Sequence, residues 1–215
     1  MTNKAAKMRP DGNGSDDVGK RLFDIILALL LVLPALLVCG VFVILIRIVD
    51  RSPALFIQER VGQRNRRFRL YKLRTMRPNS PNIPTHEASI SHITPLGGLL
   101  RRTKLDELPQ LINVLRGDMS FVGPRPCLPS QSELIGERDK RGVSAMRPGI
   151  TGISQIAGLD MSDPVALAQS DAAYKHRWSL ATDFAILART LVGRGRGDAL
   201  IAADSRLSRK DVQDR

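Results

Sequence analysis

The chain has 215 residues, which is enough for one domain with a full core or for a smaller domain plus a membrane segment. Lys and Arg total 33 against 21 Asp and Glu, a net charge of +12, so the composition predicts an anionic partner such as a membrane surface, a nucleic acid or a phosphorylated substrate. Aromatic residues make up only 4% of the chain and no zinc-finger or RNP pattern is present, which argues against a nucleic-acid-binding protein.

An apolar segment follows a polar tail near the N-terminus. We expect residues 1–19 to be disordered, because their polar, glycine-containing and charged composition cannot support a packed core. Residues 25–46 carry no charged side chain, and at ~1.5 Å rise per residue a helix of that length can cross a hydrocarbon core. The arginine-rich flank after it belongs in the cytoplasm by the positive-inside rule. Pro34 bends such a helix, so the residues are compatible with a kinked span and with a hairpin that re-enters.

Two strand-like stretches and a short helix come next. Residues 54–62 and 68–76 have strand composition around a polar turn, which predicts a β-hairpin. We interpret the arginines of that turn as a solvated face or as contacts to lipid head groups. A polar loop over 77–93 then leads to Thr94, whose capping side chain and following proline predict a short helix over 96–102.

The stretch over 105–126, LDELPQLINVLRGDMSFVGPRP, is the most informative part of the chain. Its apolar spacing predicts a short helix in which Pro109 fits only the first turn. Asp106 and Glu107 are therefore expected at or just before the helix N-terminus, where the macrodipole favours ionised carboxylates and bound phosphate. Acids at a helix start are by themselves most often only local stabilisers of the helix. Arg125, held between two prolines, is typical of a phosphate clamp.

The rest of the chain contains a glycine-rich block among helical segments. The helical segments are predicted over 130–141, 164–176 and 180–192. The last two are amphipathic, with a face that belongs to the core or rests on the membrane. Two closely spaced glycines beside Arg147 allow either an ordinary tight turn or a close backbone approach to a phosphate. We expect residues 193–215 to form a charged, disordered tail.

These motifs together resemble the bacterial sugar transferases, the small monotopic phosphoglycosyl transferases. The likeness rests on the acidic stretch over 105–126, on YKLRTM at 71–76, on RPGITGISQ at 147–155 and on a Lys-Arg-Leu-Phe-Asp motif before the proline-broken apolar run. The sequence departs from the family pattern where Ile153 and Ser154 replace Trp-Ala, which leaves nucleotide or sugar selectivity open.

The resemblance implies an α+β, mostly helical fold. It places a re-entrant membrane helix over 20–50, followed by a small cytoplasmic catalytic domain over 51–192 with a short β-hairpin and amphipathic surface helices. It also implies the reaction: transfer of a sugar 1-phosphate from a UDP-sugar to undecaprenyl phosphate, with release of UMP, at the cytoplasmic face of the inner membrane. The expected partners are the UDP-sugar donor, undecaprenyl phosphate and membrane lipids, with no nucleic acid. The oligomeric state stays open, with a homodimer among the options.

The same resemblance assigns residues to roles. Asp106 is the expected nucleophile, and Glu107 assists it; both carboxylates are expected to bind Mg²⁺, the cation that carboxylates and substrate phosphates hold together. The residues expected to bind substrate are Lys72, Arg74, Arg101, Arg125, Arg147, Thr151 and Gln155. Two other classes remain open. A polyprenyl-diphosphate hydrolase would use similar groups, whereas a non-catalytic polybasic membrane anchor gives no reason for an acid pair beside clustered arginines.

Overall fold

The computed structural model describes residues 14–78, 80 and 92–193 and shows a mixed, mostly helical chain, as predicted. Most of the loop predicted over 77–93 lies outside the described residues, as do residues 1–13 of the first predicted tail and 194–215 of the second. The helices are α1 (Gly14–Leu45), α2 (Pro95–Thr103), α3 (Leu111–Arg116), α4 (Ser132–Lys140), α5 (Ile153–Ile156), α6 (Pro164–His176) and α7 (Leu180–Leu191). The strands are β1 (Leu55–Val61), β2 (Arg67–Leu73), β3 (Ser120–Val122) and β4 (Gly149–Thr151).

Helix α1 is long and apolar enough to cross a membrane. It begins at Gly14, inside the segment that we expected to be a tail, contains Pro34, and continues into a π-helical turn, Ile46–Asp50. Its most apolar stretch has a mean hydropathy of 3.2, and only 11% of that stretch is buried. Leu33 and Leu37 are more than two-thirds exposed, at 71% and 75%. A helix this apolar and this exposed is not the core helix of the domain, which supports membrane association.

One narrow face of α1 packs on the rest of the protein along much of its length. Asp24, Ala28 and Ala35 lie at helical spacing on this face and are buried. Near the start of the helix, Lys20 Nζ lies 2.5 Å from an oxygen of Asp183 in α7. Just beyond its end, Asp50 accepts a hydrogen bond of 2.9 Å from the hydroxyl of Thr94. Both polar ends of this apolar segment therefore contact the same folded domain.

The predicted β-hairpin and the following helix are confirmed. Strands β1 and β2 pair antiparallel, with a register that runs from Leu55 opposite Leu73 to Val61 opposite Arg67. The Thr94 side chain accepts a hydrogen bond of 2.9 Å from the N–H of Gly97, so it caps α2 as its position before a proline indicated. Each of these elements is specified by residues close in sequence.

A second, parallel pair of strands was not predicted. Strand β3 pairs with β4, with Ser120 opposite Gly149. A Cβ atom on Gly149 would lie 2.1 Å from the backbone nitrogen of Gly123, and one on Gly152 would lie 2.3 Å from its carbonyl oxygen. These two glycines therefore permit a close approach to the backbone just after β3, and the alternative of an approach to phosphate stays a prediction.

The main hydrophobic core lies where these elements meet. Buried apolar side chains from α1, β2, α3, β3, α6 and α7 form one cluster, and its largest members with almost no exposure are Val114, Met119, Val122 and Tyr174. A smaller cluster packs Ile46 against the hairpin and against Leu100 of α2. Residues 105–110, which carry the two acids, thereby lie against the hairpin, α2 and α1.

Candidate active site

The two acids lie on a short 3₁₀ turn, Leu105–Gln110, which we call the acidic turn. Lys104, in the left-handed conformation with φ 58°, ends α2, and its carbonyl accepts a hydrogen bond of 3.2 Å from the N–H of Glu107. The α-helix begins only at Leu111, so the acids lie just before it, in the first turn of the 3₁₀ segment that leads into it. The reversal at Lys104 imposes the tighter i→i+3 pattern before the helix can start. Asp106 is only 7% exposed there.

A buried asparagine fastens the acidic turn and α3 to the hairpin. Asn113 has no exposed surface, and its side chain accepts a hydrogen bond of 3.2 Å from the N–H of Tyr71 and donates one of 2.7 Å to the carbonyl of Arg69. The amide thus satisfies backbone groups at the edge of β2 as a neighbouring strand would. Lys72 is the residue after Tyr71 within β2. The contact made by Asn113 therefore sets the position of Lys72 relative to the acids. Sequence reasoning missed Asn113, because an asparagine inside an amphipathic helix carries no signal of its partner.

Four cationic side chains lie in one cluster with Asp106, the candidate nucleophile. Burial lowers the pKa of Lys72 to about 8; Asp106 raises it, and Arg101, Arg60 and Arg125 lower it. Burial and the charge of Arg125 likewise lower the pKa of Arg60 to about 10. These mutual effects place the buried Asp106 and three guanidinium groups near Lys72. The cluster contains the predicted residues Lys72, Arg101 and Arg125, and it adds Arg60, which had looked like one more arginine of a solvated hairpin.

The segment that carries Arg125 is fixed by its backbone. The carbonyls of the four residues from Pro124 to Cys127 each accept a hydrogen bond from a different part of the chain. In order, the donors are the N–H of Gly149 (2.9 Å), Arg138 Nη1 (2.9 Å), Arg60 Nη1 (3.1 Å) and the N–H of Val61 (3.0 Å). The two prolines beside Arg125 restrict the same backbone further. The Arg125 guanidinium is therefore presented from a rigid segment.

Arg138, which donates to the Arg125 carbonyl, belongs to a buried ion pair with Asp171. Two nitrogens of Arg138 donate to one oxygen of Asp171, at 3.0 and 2.7 Å, and the Ser154 hydroxyl donates to the other oxygen at 2.7 Å. Arg138 and Asp171 are 7% and 2% exposed. Asp171 was not among the residues predicted to be functional. The structure gives it a role, because Asp171 orients the arginine that holds the Arg125 carbonyl.

Glu107 faces Arg125 and offers a carboxylate oxygen to a cation. Its Oε1 lies 3.5 Å from Arg125 Nη1, while its buried Oε2 accepts no hydrogen bond from the residues that the structure describes. Among those residues no three His, Cys, Asp or Glu side chains cluster, so a Mg²⁺ ion would rest on one or both acids plus substrate oxygens. That is the usual arrangement for Mg²⁺ at phosphate sites. The buried oxygen of Glu107 fits this requirement.

Three of the residues predicted to bind substrate donate hydrogen bonds to other groups of the protein. Arg101 donates to the Thr75 hydroxyl at 2.8 Å, and Arg74 donates to the Pro53 carbonyl at 2.8 Å. Arg147 donates to the carbonyl of Gly117 at 3.2 Å, which places it at the C-terminal end of α3. A cation there satisfies a helix-end carbonyl, so Arg147 has a capping role. Its phosphate role stays a prediction.

Thr151 lies on β4, and Gln155 lies on the following helix α5. The Thr151 hydroxyl shares a hydrogen bond of 2.8 Å with that of Thr190, and both residues line a cavity together with Glu107. Gln155 donates to the Ile150 carbonyl at 3.1 Å, and its buried Oε1 lacks a partner among the described residues. Of the two, Thr151 is thus placed beside a catalytic candidate.

This arrangement defines a class of protein. A buried carboxylate surrounded by excess positive charge, a second carboxylate with an unsatisfied oxygen and an exposed apolar helix against the same site are the parts of a membrane-associated enzyme that handles phosphates. Comparison with known proteins specifies the class. The sequence model described as bacterial sugar transferase matches residues 15–195, so the chain belongs to the bacterial sugar transferase family and with it to the phosphoglycosyl transferases that its motifs indicated.

The names of similar proteins are consistent with this family. The UDP-glucose:undecaprenyl-phosphate glucose-1-phosphate transferase of Caulobacter vibrioides is 37% identical over 81% of this chain and 69% of its own length. The exopolysaccharide production protein PSS of Rhizobium leguminosarum bv. phaseoli is 38% identical over 85% of this chain and 99% of its own. The galactosyl transferase CpsE of Streptococcus agalactiae is 38% identical over 81% of this chain, which spans only 41% of that protein.

Proposed function

We propose that this enzyme moves a sugar 1-phosphate from a UDP-sugar to undecaprenyl phosphate, releases UMP and so primes the synthesis of a surface glycan. The observation that carries the proposal is the buried Asp106 carboxylate beside Lys72, within a cluster that includes Arg101 and Arg125. The name of the Caulobacter relative supports both the donor and the acceptor class. Which sugar is transferred is left to experiment.

Charge explains why the site is built this way. Donor and acceptor both carry phosphate groups, which repel one another unless cations lie between them. Lys72 and three arginines outnumber the two acids, so the site holds net positive charge for a diphosphate. Arg125, which is 36% exposed in its side chain, can offer a planar fork to phosphate oxygens while Glu107 orients it.

We propose a covalent mechanism in two steps. An Asp106 oxygen attacks the β-phosphorus of the UDP-sugar, a new O–P bond forms, and the bond to the bridging oxygen breaks so that UMP leaves with the electron pair. An oxygen of undecaprenyl phosphate then attacks the same phosphorus, the acyl-phosphate bond breaks and the carboxylate is restored. Splitting the transfer means that a water-soluble donor and a membrane-bound acceptor need not occupy the site together.

The two acids have different roles in this mechanism: Asp106 attacks phosphorus and Glu107 binds a cation or a proton. Asp106 is buried, and Lys72 lies close to it. Glu107 keeps a carboxylate oxygen available for a cation or a proton. Mg²⁺, when bound, would neutralise the charge that develops on the phosphate oxygens. Arg125, which lies near the hairpin lysine, holds those oxygens.

We also propose that the apolar segment is re-entrant and that the domain lies on the cytoplasmic face of the inner membrane. A straight span would put the two ends of the segment on opposite sides of the bilayer, yet Lys20 and Asp50 both contact the one domain. In a variant without Cys39 and Cys127, cysteines at Val18 and Arg66 should be labelled from the same side of sealed vesicles. Labelling from opposite sides would establish a span instead.

The function is tested by incubating purified protein with a panel of UDP-sugars, Mg²⁺ and undecaprenyl phosphate. UMP release that requires the lipid phosphate supports transfer, release of inorganic phosphate from a polyprenyl diphosphate supports hydrolysis, and neither product supports the anchor. Without the lipid, intact mass should show a sugar-phosphate adduct on the wild type and none on Asp106→Asn. Turnover of Asp106→Asn should fall by roughly 10³-fold or more, because the amide is not a nucleophile. Intersecting initial-rate lines without an adduct would mean direct attack by the lipid phosphate.

A further inference from the structure

A cavity of about 320 Å³ separates α1 from the catalytic domain. Helix α1 contributes Leu31, Pro34, Ala35 and Val38 to one wall, and apolar side chains of the acidic turn, α3 and the β3–β4 pair form most of the other. We call this cavity the α1 pocket. Its lining is almost entirely apolar, and its volume lies at the lower end of the range of about 300–1,000 Å³ for small-molecule sites.

The polar groups of the α1 pocket come from its catalytic wall. Glu107, whose side chain is 14% exposed, lines the pocket and also faces Arg125. Lys104 and Thr151 line it too, and the Thr151 hydroxyl is already bonded to Thr190. The surface of the pocket is therefore apolar, and the residues of its catalytic wall include Glu107 and Lys104, whose charged groups lie at its border.

This chemistry selects among the two substrates. A nucleotide sugar would bring hydroxyl and charged groups against aliphatic side chains that cannot hydrogen-bond to them, and such burial is costly. A branched hydrocarbon chain with a phosphate at one end matches both walls. We propose that the α1 pocket binds the first isoprenoid units of the polyprenyl phosphate acceptor and so delivers its phosphate to the acid pair. This rests on the proposed function, of which it specifies the acceptor site.

The proposal also accounts for the size and position of the pocket. An undecaprenyl chain is far too long for the pocket, so only the part next to the phosphate is held. The rest can leave the pocket for the hydrocarbon of the membrane that the exposed apolar side chains of α1 face. Pro34 lies in the pocket wall itself and adds its apolar ring to the lining.

Two tryptophan variants test the acceptor site. Val38→Trp fills the α1 pocket, because Val38 lines it and is half-buried. Leu37→Trp is the matched control: it is the neighbouring position on the same helix, is 75% exposed and does not line the pocket. In mixed micelles of fixed detergent content, Val38→Trp should raise the KM for undecaprenyl phosphate roughly tenfold or more, the loss expected when about two methylene groups can no longer be buried. Leu37→Trp should keep the wild-type KM.

The donor half-reaction separates this proposal from the proposed function. Formation of the sugar-phosphate adduct without lipid should proceed at the wild-type rate in Val38→Trp, which also shows that the variant is folded. Equal acceptor KM values for the two tryptophan variants would overturn the acceptor site and leave the transferase intact. If the wild type released no UMP with any donor and lipid phosphate, the proposed function itself would fail.

A second measurement needs no variant. With the wild type, the KM for prenyl phosphates should fall as the chain grows from one isoprenoid unit to several and then level off, because only the first units lie in the α1 pocket. A KM independent of chain length from the first unit onward would contradict the proposal.

Discussion

Replacing the buried Asp171 by asparagine should reduce the stability of the protein and disturb the site at once. The substitution removes one charge at nearly constant volume and leaves the Arg138 guanidinium buried without its anionic partner. Breaking a buried ion pair from one side costs about 3–5 kcal/mol. We expect the lower end, about 3 kcal/mol, because the amide oxygen can still accept a hydrogen bond from Arg138. For a chain of this size each kcal/mol lowers Tm by about 2–4 °C, so the loss should be roughly 6–12 °C.

The assay is thermal unfolding in detergent, with Glu59→Gln as the control. Glu59 pairs with Arg67 at 3.0 Å, but both side chains are more than half exposed, so this substitution should cost at most about 1 kcal/mol. The buried arrangement also predicts a functional effect, because Arg138 holds the Arg125 carbonyl at 2.9 Å. Asp171→Asn should raise the KM for the donor well below the unfolding temperature. Equal Tm values for the two variants would refute the reasoning, since burial would then have no bearing on the cost of the missing charge.

Three further outcomes follow from the site. The donor kcat/KM should decline as pH rises through about 8, where Lys72 of the free enzyme loses its charge, and Lys72→Arg should remove that decline; an unchanged decline would assign it to another group. Arg125→Ala should weaken donor use, and Arg125→Lys should restore it poorly because an ammonium lacks the planar fork; full rescue by lysine would show that charge alone matters. Excess EDTA should abolish turnover and added Mg²⁺ restore it, while Glu107→Gln should be severely impaired; activity that survives EDTA would count against the metal.

Lys72 also makes the free energy of unfolding depend on pH. Its pKa is lower in the folded protein than the ordinary value of 10.5, so the unfolded chain binds more protons between about pH 8 and 10.5. This lysine therefore destabilises the fold below about pH 8, and the penalty is relieved as pH rises through that window. Lys72→Met should be more stable than the wild type at pH 7 and should lose that advantage at higher pH.

The sequence alone determined the elements whose instructions are local. Thr94 before a proline specified the start of α2, and the two strand-like stretches around a polar turn specified the hairpin. Length and hydropathy specified the membrane-associated helix, and the long acidic motif specified the family and the two candidate acids. In each case the information lies within one turn of helix, one hairpin or one uninterrupted motif, so no distant partner was needed.

Only the tertiary structure decided which distant residues meet. Strands β3 and β4 have three residues each, too few to show an alternating pattern, and their pairing brings Ser120 beside Gly149. The 3₁₀ geometry of the acidic turn depends on how α2 ends and on how Asn113 docks on β2, neither of which a helical pattern reveals. The place of Arg60 in the cationic cluster and the capping contact of Arg147 likewise depend on residues far away in the sequence. A charged side chain shows its charge in the sequence, but the groups that desolvate, pair or orient it come from segments far along the chain.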